Sequence, residues 1–112
     1  MPYSQKLIDN QSLAADYTGD WTYYNDYQPS IDETTVYIKW SGADHNDGTF
    51  YIDKKFGSES DDWKNAGSIA ISAASGTYEL QITTDCIGIK IRYLKGTCTT
   101  GTFDVNYIMD RS

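Results

Sequence analysis

A chain of 112 residues, 39% of them hydrophobic and 22% charged, builds one folded core but not two, and it is too rich in apolar residues to be a disordered segment. Its apolar stretches are too short to cross a bilayer as a helix. A formal net charge of −7 repels phosphate backbones and anionic lipid, so neither nucleic acid nor membrane is expected as a partner.

Residues 1–18 read as an N-terminal arm or edge strand, followed by a single domain over 19–112. In the arm, Leu7, Ile8, Leu13, Ala14 and Ala15 would seat one or two short strands but follow no clear period. Its opening run, Met1-Pro2-Tyr3-Ser4-Gln5-Lys6, has no basic start followed by an apolar core. The expectation is therefore a chain made in a cytoplasm and kept there or released by lysis. Next comes an aromatic segment with Tyr17, Trp21, Tyr23, Tyr24 and Tyr27, in which 22–28 reads as a strand ended by Pro29-Ser30. The clearest strand is 34–41, where Val36, Ile38 and Trp40 share one face at the two-residue period of a half-buried strand. A loop over 42–48 leads to a strand over 49–56 with Phe50 and Ile52 inward. A polar loop over 57–67, pinned by Trp63, precedes a short strand over 68–72 with Ile69 and Ile71 inward. After a turn, 77–83 alternates Tyr78, Leu80 and Ile82. The strand 87–95 places Ile87, Ile89, Ile91 and Tyr93 inward, and the last strand does the same with Phe103, Val105 and Tyr107. Seven or eight strands, with no sustained helical period, predict an all-β, antiparallel, jelly-roll-like sandwich.

Cys86 and Cys98 flank the predicted strand 87–95. That strand spans roughly 30 Å at about 3.3 Å per residue, whereas a disulfide needs Cα atoms within about 7 Å. Two thiols are expected.

The residues supply little chemistry. Asp44-His45-Asn46-Asp47-Gly48 offers oxygen ligands, but the EF-hand register puts Gly48 at the fifth position and Lys55 at the twelfth, so no calcium loop is expected. The same residues suit a turn. Glu59, Asp61 and Asp62 crowd one loop, where a solvated turn is the simpler reading than an acid–base pair. His45 is the only histidine and has no nucleophile motif to serve. No enzyme, metal site or cofactor is expected. Aromatic residues are more telling, with ten Tyr and three Trp. Such side chains are enriched in protein interfaces and also stack on sugars. On the outward faces fall Tyr37 and Tyr51, with Tyr24 on a less regular strand. Interface or sugar-stacking candidates are therefore Trp21, Tyr23, Tyr24, Tyr27, Tyr37 and Tyr51. Tyr3, Leu7, Ile8 and Leu13 join them, as apolar residues on a terminus with little pattern of its own.

One motif recurs. Val36-Tyr37-Ile38-Lys39-Trp40-Ser41-Gly42 leads to Gly48-Thr49-Phe50, then to an acidic turn and Trp63. Ile89-Lys90-Ile91-Arg92-Tyr93 leads to Gly101-Thr102-Phe103-Asp104-Val105. Across residues 34–107 this pattern resembles a group of small β-sandwich proteins from tailed-bacteriophage virions. The resemblance implies a structural role, as a capsid decoration protein, head fibre or tail adaptor. It implies assembly in the host cytoplasm, and as partners other virion proteins and further copies of itself, a trimer being the analogy with fibre proteins. It brings no catalytic residue. The alternative reading is a carbohydrate-binding module or receptor-binding adhesin that uses surface Tyr and Trp on a glycan.

Overall fold

The structure is a computed structural model that describes residues 3–23, 31–83 and 86–111. Nine strands follow in chain order, β1 (Tyr3–Ser12), β2 (Tyr17–Thr18), β3 (Thr22–Tyr23), β4 (Ile31–Ser41), β5 (Thr49–Lys55), β6 (Trp63–Ala70), β7 (Gly76–Thr83), β8 (Gly88–Leu94) and β9 (Thr102–Arg111). They form two antiparallel sheets, one ordered β1-β9-β4-β7 and one ordered β2-β8-β5-β6 with β3 also on β8. There is no helix among the described residues. The sandwich expected from the alternating apolar pattern is the fold found.

Its core is the set of inward positions of both sheets. Val36, Ile38, Trp40, Phe50, Ile52, Ile82, Ile89, Ile91, Phe103 and Val105 are buried, and Leu80 packs half-buried against them. At the centre, Phe50 lies 4.8 Å from Tyr93 and 5.0 Å from Phe103, centroid to centroid. Rings at this spacing contribute beyond their buried area. Tyr93 is fully buried, and its hydroxyl donates to the Leu13 carbonyl at 2.9 Å. Burial holds that phenol well above its ordinary pKa. Cys86 and Cys98 are both buried, at opposite ends of β8, and no disulfide joins them.

Of the two readings of the N-terminal residues, arm or edge strand, the second is found for Tyr3–Ser12: β1 is hydrogen-bonded to β9 as the edge strand of the four-stranded sheet. The fold departs from the sequence reading in three places. Ile8 and Leu13 are buried in the chain's own core, with Leu7 packed against it, so they are not free interface residues. Two register shifts, between Lys6 and Ile8 and between Ile8 and Gln11, hide the period of this strand. Asn10 sits there at a φ of 53°, a conformation that Asn tolerates, and its N–H donates to Asp104 at 2.7 Å. Second, the predicted loop 57–67 contains half of a strand, because β6 begins at Trp63. Third, Ile87 lies before β8 and is 44% exposed, not inward. Of the predicted strand 22–28, the described residues Thr22–Tyr23 are strand β3, and the remainder lies outside the described residues.

Candidate functional site: an aromatic–cation face

Sheet register brings the candidate site together. On the outer face of the five-stranded sheet, β5 pairs Tyr51 with Arg92, Asp53 with Lys90 and Lys55 with Gly88. On its other side β5 pairs Asp53 with Asn65 and Lys55 with Trp63. Beyond β8, Tyr23 is opposite Gly88. A Cβ at Gly88 would meet the Thr22 carbonyl oxygen at 2.7 Å and the Tyr23 ring at 3.1 Å, so the absence of a side chain there lets β3 and its aromatics lie down on β8.

Rings and cations then alternate across the face. The Arg92 guanidinium carbon is 4.6 Å from the Tyr51 ring centroid and 5.2 Å from that of Trp63. Lys90 Nζ is 5.2 Å from Trp63 and 4.6 Å from Trp21. Lys55 Nζ is 5.4 Å from Trp21 on a side chain that is almost wholly buried, and it donates to the Glu59 carbonyl at 2.6 Å. Each such cation–ring pair contributes about 0.5–1 kcal/mol when exposed and ~2 when desolvated.

Asp53 anchors the floor. It is fully buried although its strand parity points outward. Arg92 donates to it through Nε at 2.5 Å and through Nη2 at 3.1 Å, the forked geometry that fixes a guanidinium plane. This bonding holds the Arg92 pKa above its ordinary value. Asn65 Nδ2 donates to the same carboxylate at 3.2 Å and to the Gly67 carbonyl at 3.2 Å. A bulge between Ile52 and Asp53 lets Asn65 stand opposite Asp53.

The face therefore carries Lys55, Lys90 and Arg92 against Asp53, a local charge of +2 on a chain whose net charge is −7. Lys90 has no carboxylate within ion-pair distance among the described residues. Because cations cover ring faces, much of the aromatic surface is turned toward the protein's own side chains.

Of the aromatic candidates, Trp21, Tyr23 and Tyr51 meet here. Tyr37 is outward as expected but on the other sheet, where Lys6, Lys39, Asp104 and Asn106 join it in lining a groove of about 260 Å³. Asn106 Oδ1 is buried in that wall without a hydrogen-bond partner among the described residues. Tyr24 and Tyr27 lie outside the described residues, and of Tyr3 only the backbone, at the start of β1, is described. Sequence reasoning missed Trp63, Asp53, Lys55, Lys90 and Arg92 as site residues. The outward parity of Lys90 and Arg92 was readable, but which rings they meet depends on pairing across three strands.

The loops read as candidate sites are structural. Asp47 accepts from the Thr97 N–H at 3.0 Å and from its hydroxyl at 2.7 Å. Asp44 accepts from the Thr99 N–H at 2.8 Å, from the Thr99 hydroxyl and from the Thr100 N–H at 3.3 Å. These bonds clamp the 42–48 loop to the 95–101 loop and hold both carboxylates below their ordinary pKa. Cys98 Sγ lies 3.2 Å from the His45 carbonyl oxygen, so the thiol is engaged with the backbone and not with the imidazole. The Asp62 carboxylate accepts from the Glu59 N–H at 3.1 Å, which closes the acidic turn on itself. No group of three or more His, Cys, Asp or Glu side chains is placed to hold a metal among the described residues.

No family model matches the chain, and no curated protein sequence matches it. Solved structures do resemble it. The VP2 subviral particle of infectious bursal disease virus is 10% identical with a TM-score of 0.53, over 99% of this chain and 33% of that one. A Bacillus endospore appendage, from a family of disulfide-linked pili, is 13% identical with a TM-score of 0.50, over 99% and 89% of the two chains. A family 29 carbohydrate-binding module, CBM29-2, is 14% identical with a TM-score of 0.51, over 97% and 91%. At these identities the likeness shows the sandwich fold alone. The fold is one shared by viral capsid, appendage and carbohydrate-binding proteins.

Proposed function

We propose that this chain is a non-enzymatic structural protein of a bacteriophage virion, a capsid decoration protein, head fibre component or tail adaptor that works through protein–protein contacts. The observation that carries the reading is the aromatic–cation face. Trp, Tyr and Arg are the residues that dominate binding energy at protein interfaces, and here they are fixed in place before any partner arrives. The resemblance of residues 34–107 to small virion sandwiches supplies the setting. The capsid and appendage proteins among the structural neighbours are compatible with a particle or extracellular assembly. The test is quantitative mass spectrometry of gradient-purified phage particles. The chain should be present at a fixed ratio to the major capsid or tail protein, and its absence from particles would sink the proposal.

One observation favours a second reading, a glycan-binding module. The groove beside Tyr37 holds an unpartnered acceptor, Asn106 Oδ1, flanked by lysine donors, and a sugar hydroxyl would satisfy it. A glycan array probed with the wild type and Tyr37→Ala separates the two. Glycan binding that Tyr37→Ala abolishes, by a chain not found in particles, would establish the second reading over the first.

A further inference from the structure

Resting on the proposal that the chain works by protein–protein contact, we infer that the aromatic–cation face takes a second copy of this chain, head to tail. Three observations lead there. The first is charge. The face carries a local +2, which leaves −9 for the rest of the chain. Any other surface of a second copy is on average acidic and is drawn to it. Glu79, outward on β7 of the other sheet, is exposed and makes no ion pair among the described residues, so it is available as a counter-charge.

The second observation is preorganisation. Lys90 Nζ is held between Trp21 and Trp63, and Arg92 lies between Tyr51 and Trp63. Long side chains free in solution lose conformational entropy when they bind, and these have lost much of it already. Asp53 satisfies Arg92, whereas Lys90 is left with an immobilised positive charge and rings on both sides. That is a slot for a carboxylate, walled by apolar surface that excludes water around it.

The third is area and symmetry. β5, β6 and β8, seven or eight residues each, span ~23–26 Å, and with the short β3 laid on β8 the four strand positions cover ~19 Å. That outline is at most about 440 Å², roughly half of the ~800 Å² that each partner contributes to a stable interface, so the contact takes in the rim of the face as well. A two-fold arrangement of this face on itself would set Lys55, Lys90 and Arg92 against their own copies. Like charges disfavour it, and the contact is therefore heterologous, between this face and a different, acidic surface. Heterologous contacts close into rings or propagate as filaments, and a three-fold ring is one such closure.

Sedimentation velocity across a concentration series, at low and at high ionic strength, tests the inference. The wild type should self-associate at low salt and dissociate as salt screens the contact. Lys90→Glu should remain monomeric. Lys90→Met, which keeps the stem between the rings, should weaken association by at least about tenfold, consistent with the loss of one close charge pair. Circular dichroism melts confirm that each variant is folded. A wild-type monomer at every concentration, or a Lys90→Glu protein that assembles normally, overturns the inference.

The same variants are then added to particles lacking the chain. A monomer that docks on particles through Lys90 overturns self-association and leaves the virion role standing. A monomer that neither docks nor occurs in particles ends both. Monomer binding to a polyuronate or to a polyglutamate peptide, lost in Lys90→Glu, would assign the slot to an acidic glycan or to another acidic protein and would likewise overturn the second-copy assignment.

Discussion

At the scale of single residues, Asp53 and Asp44 show how one type of side chain serves two different ends. Asp53 is wholly buried, and Arg92 beside it is mostly so. Removing the carboxylate leaves a guanidinium whose partner is gone and an Asn65 amide with one acceptor fewer. Asp53→Ala should cost about 3 kcal/mol or more, read from urea unfolding, because breaking a buried pair from one side leaves the other charge uncompensated. A loss within experimental error would mean that water or another group readily replaces the carboxylate. Asp44 sits on the surface, and its effect appears in pH. The bonds from Thr99 come first among the causes that depress its pKa, and Thr97 plays that part for Asp47. In the unfolded chain both titrate near the ordinary value of 3.8. The unfolded state thus binds protons first on acidification, so the stability these carboxylates contribute is complete above that value and is lost as pH falls through the depressed folded values. Asp44→Asn should lower stability at neutral pH and flatten the acid limb below about pH 4 in a pH series of thermal melts. An acid limb as steep as in the wild type would assign the acid response to other carboxylates.

At the scale of strands, Gly88 is the position on which the face depends. The atom a new Cβ would strike is a backbone oxygen, Thr22 O, which has no rotamer by which to give way. Gly88→Ala should lift β3 off β8 and release Trp21 from Lys55 and Lys90. The expected readouts are a red-shifted tryptophan emission and faster modification of Lys90, with a loss of about 1 kcal/mol or more in stability. Unchanged emission would show that β3 accommodates the methyl group. Strands are also where the sequence is easiest and hardest to read. β4, β5, β7, β8 and β9 each bury alternate apolar residues, so parity was legible, and with it the core from Val36 to Val105. β6 opens with Trp63-Lys64-Asn65-Ala66, with one large apolar side chain and a bulge, so its first half looked like loop. In β1 the register shifts break the period altogether. Trp63 gave the weakest hint of all, since a lone aromatic in a polar run looks like an anchor until β5 places it beside Lys90 and Arg92.

For the molecule as a whole, the first twelve residues decide between two accounts of stability and assembly. As an arm awaiting a neighbour, they would be removable at the expense of assembly alone. The sheet places them otherwise. β1 covers the edge of β9, Ile8 is 7% exposed, and Leu13, just after the strand, accepts the Tyr93 hydroxyl at the centre of the core. Deleting residues 1–12 removes Ile8, bares the hydrogen-bonding edge of β9 and loosens the segment that holds Leu13. A buried isoleucine alone is worth about 2–5 kcal/mol when it is truncated to alanine, and an uncovered long strand is a template for aggregation. The truncated chain should therefore melt far below the wild type and scatter light as a heterogeneous aggregate. Lys90→Glu should do the reverse, losing the assembled mass while its melt falls only by the ~1–2 kcal/mol that the two ring contacts supply. A truncated chain that melts as the wild type and sediments as a clean monomer would return these residues to the role of an assembly arm, and would show that the four-stranded sheet is stable without its edge.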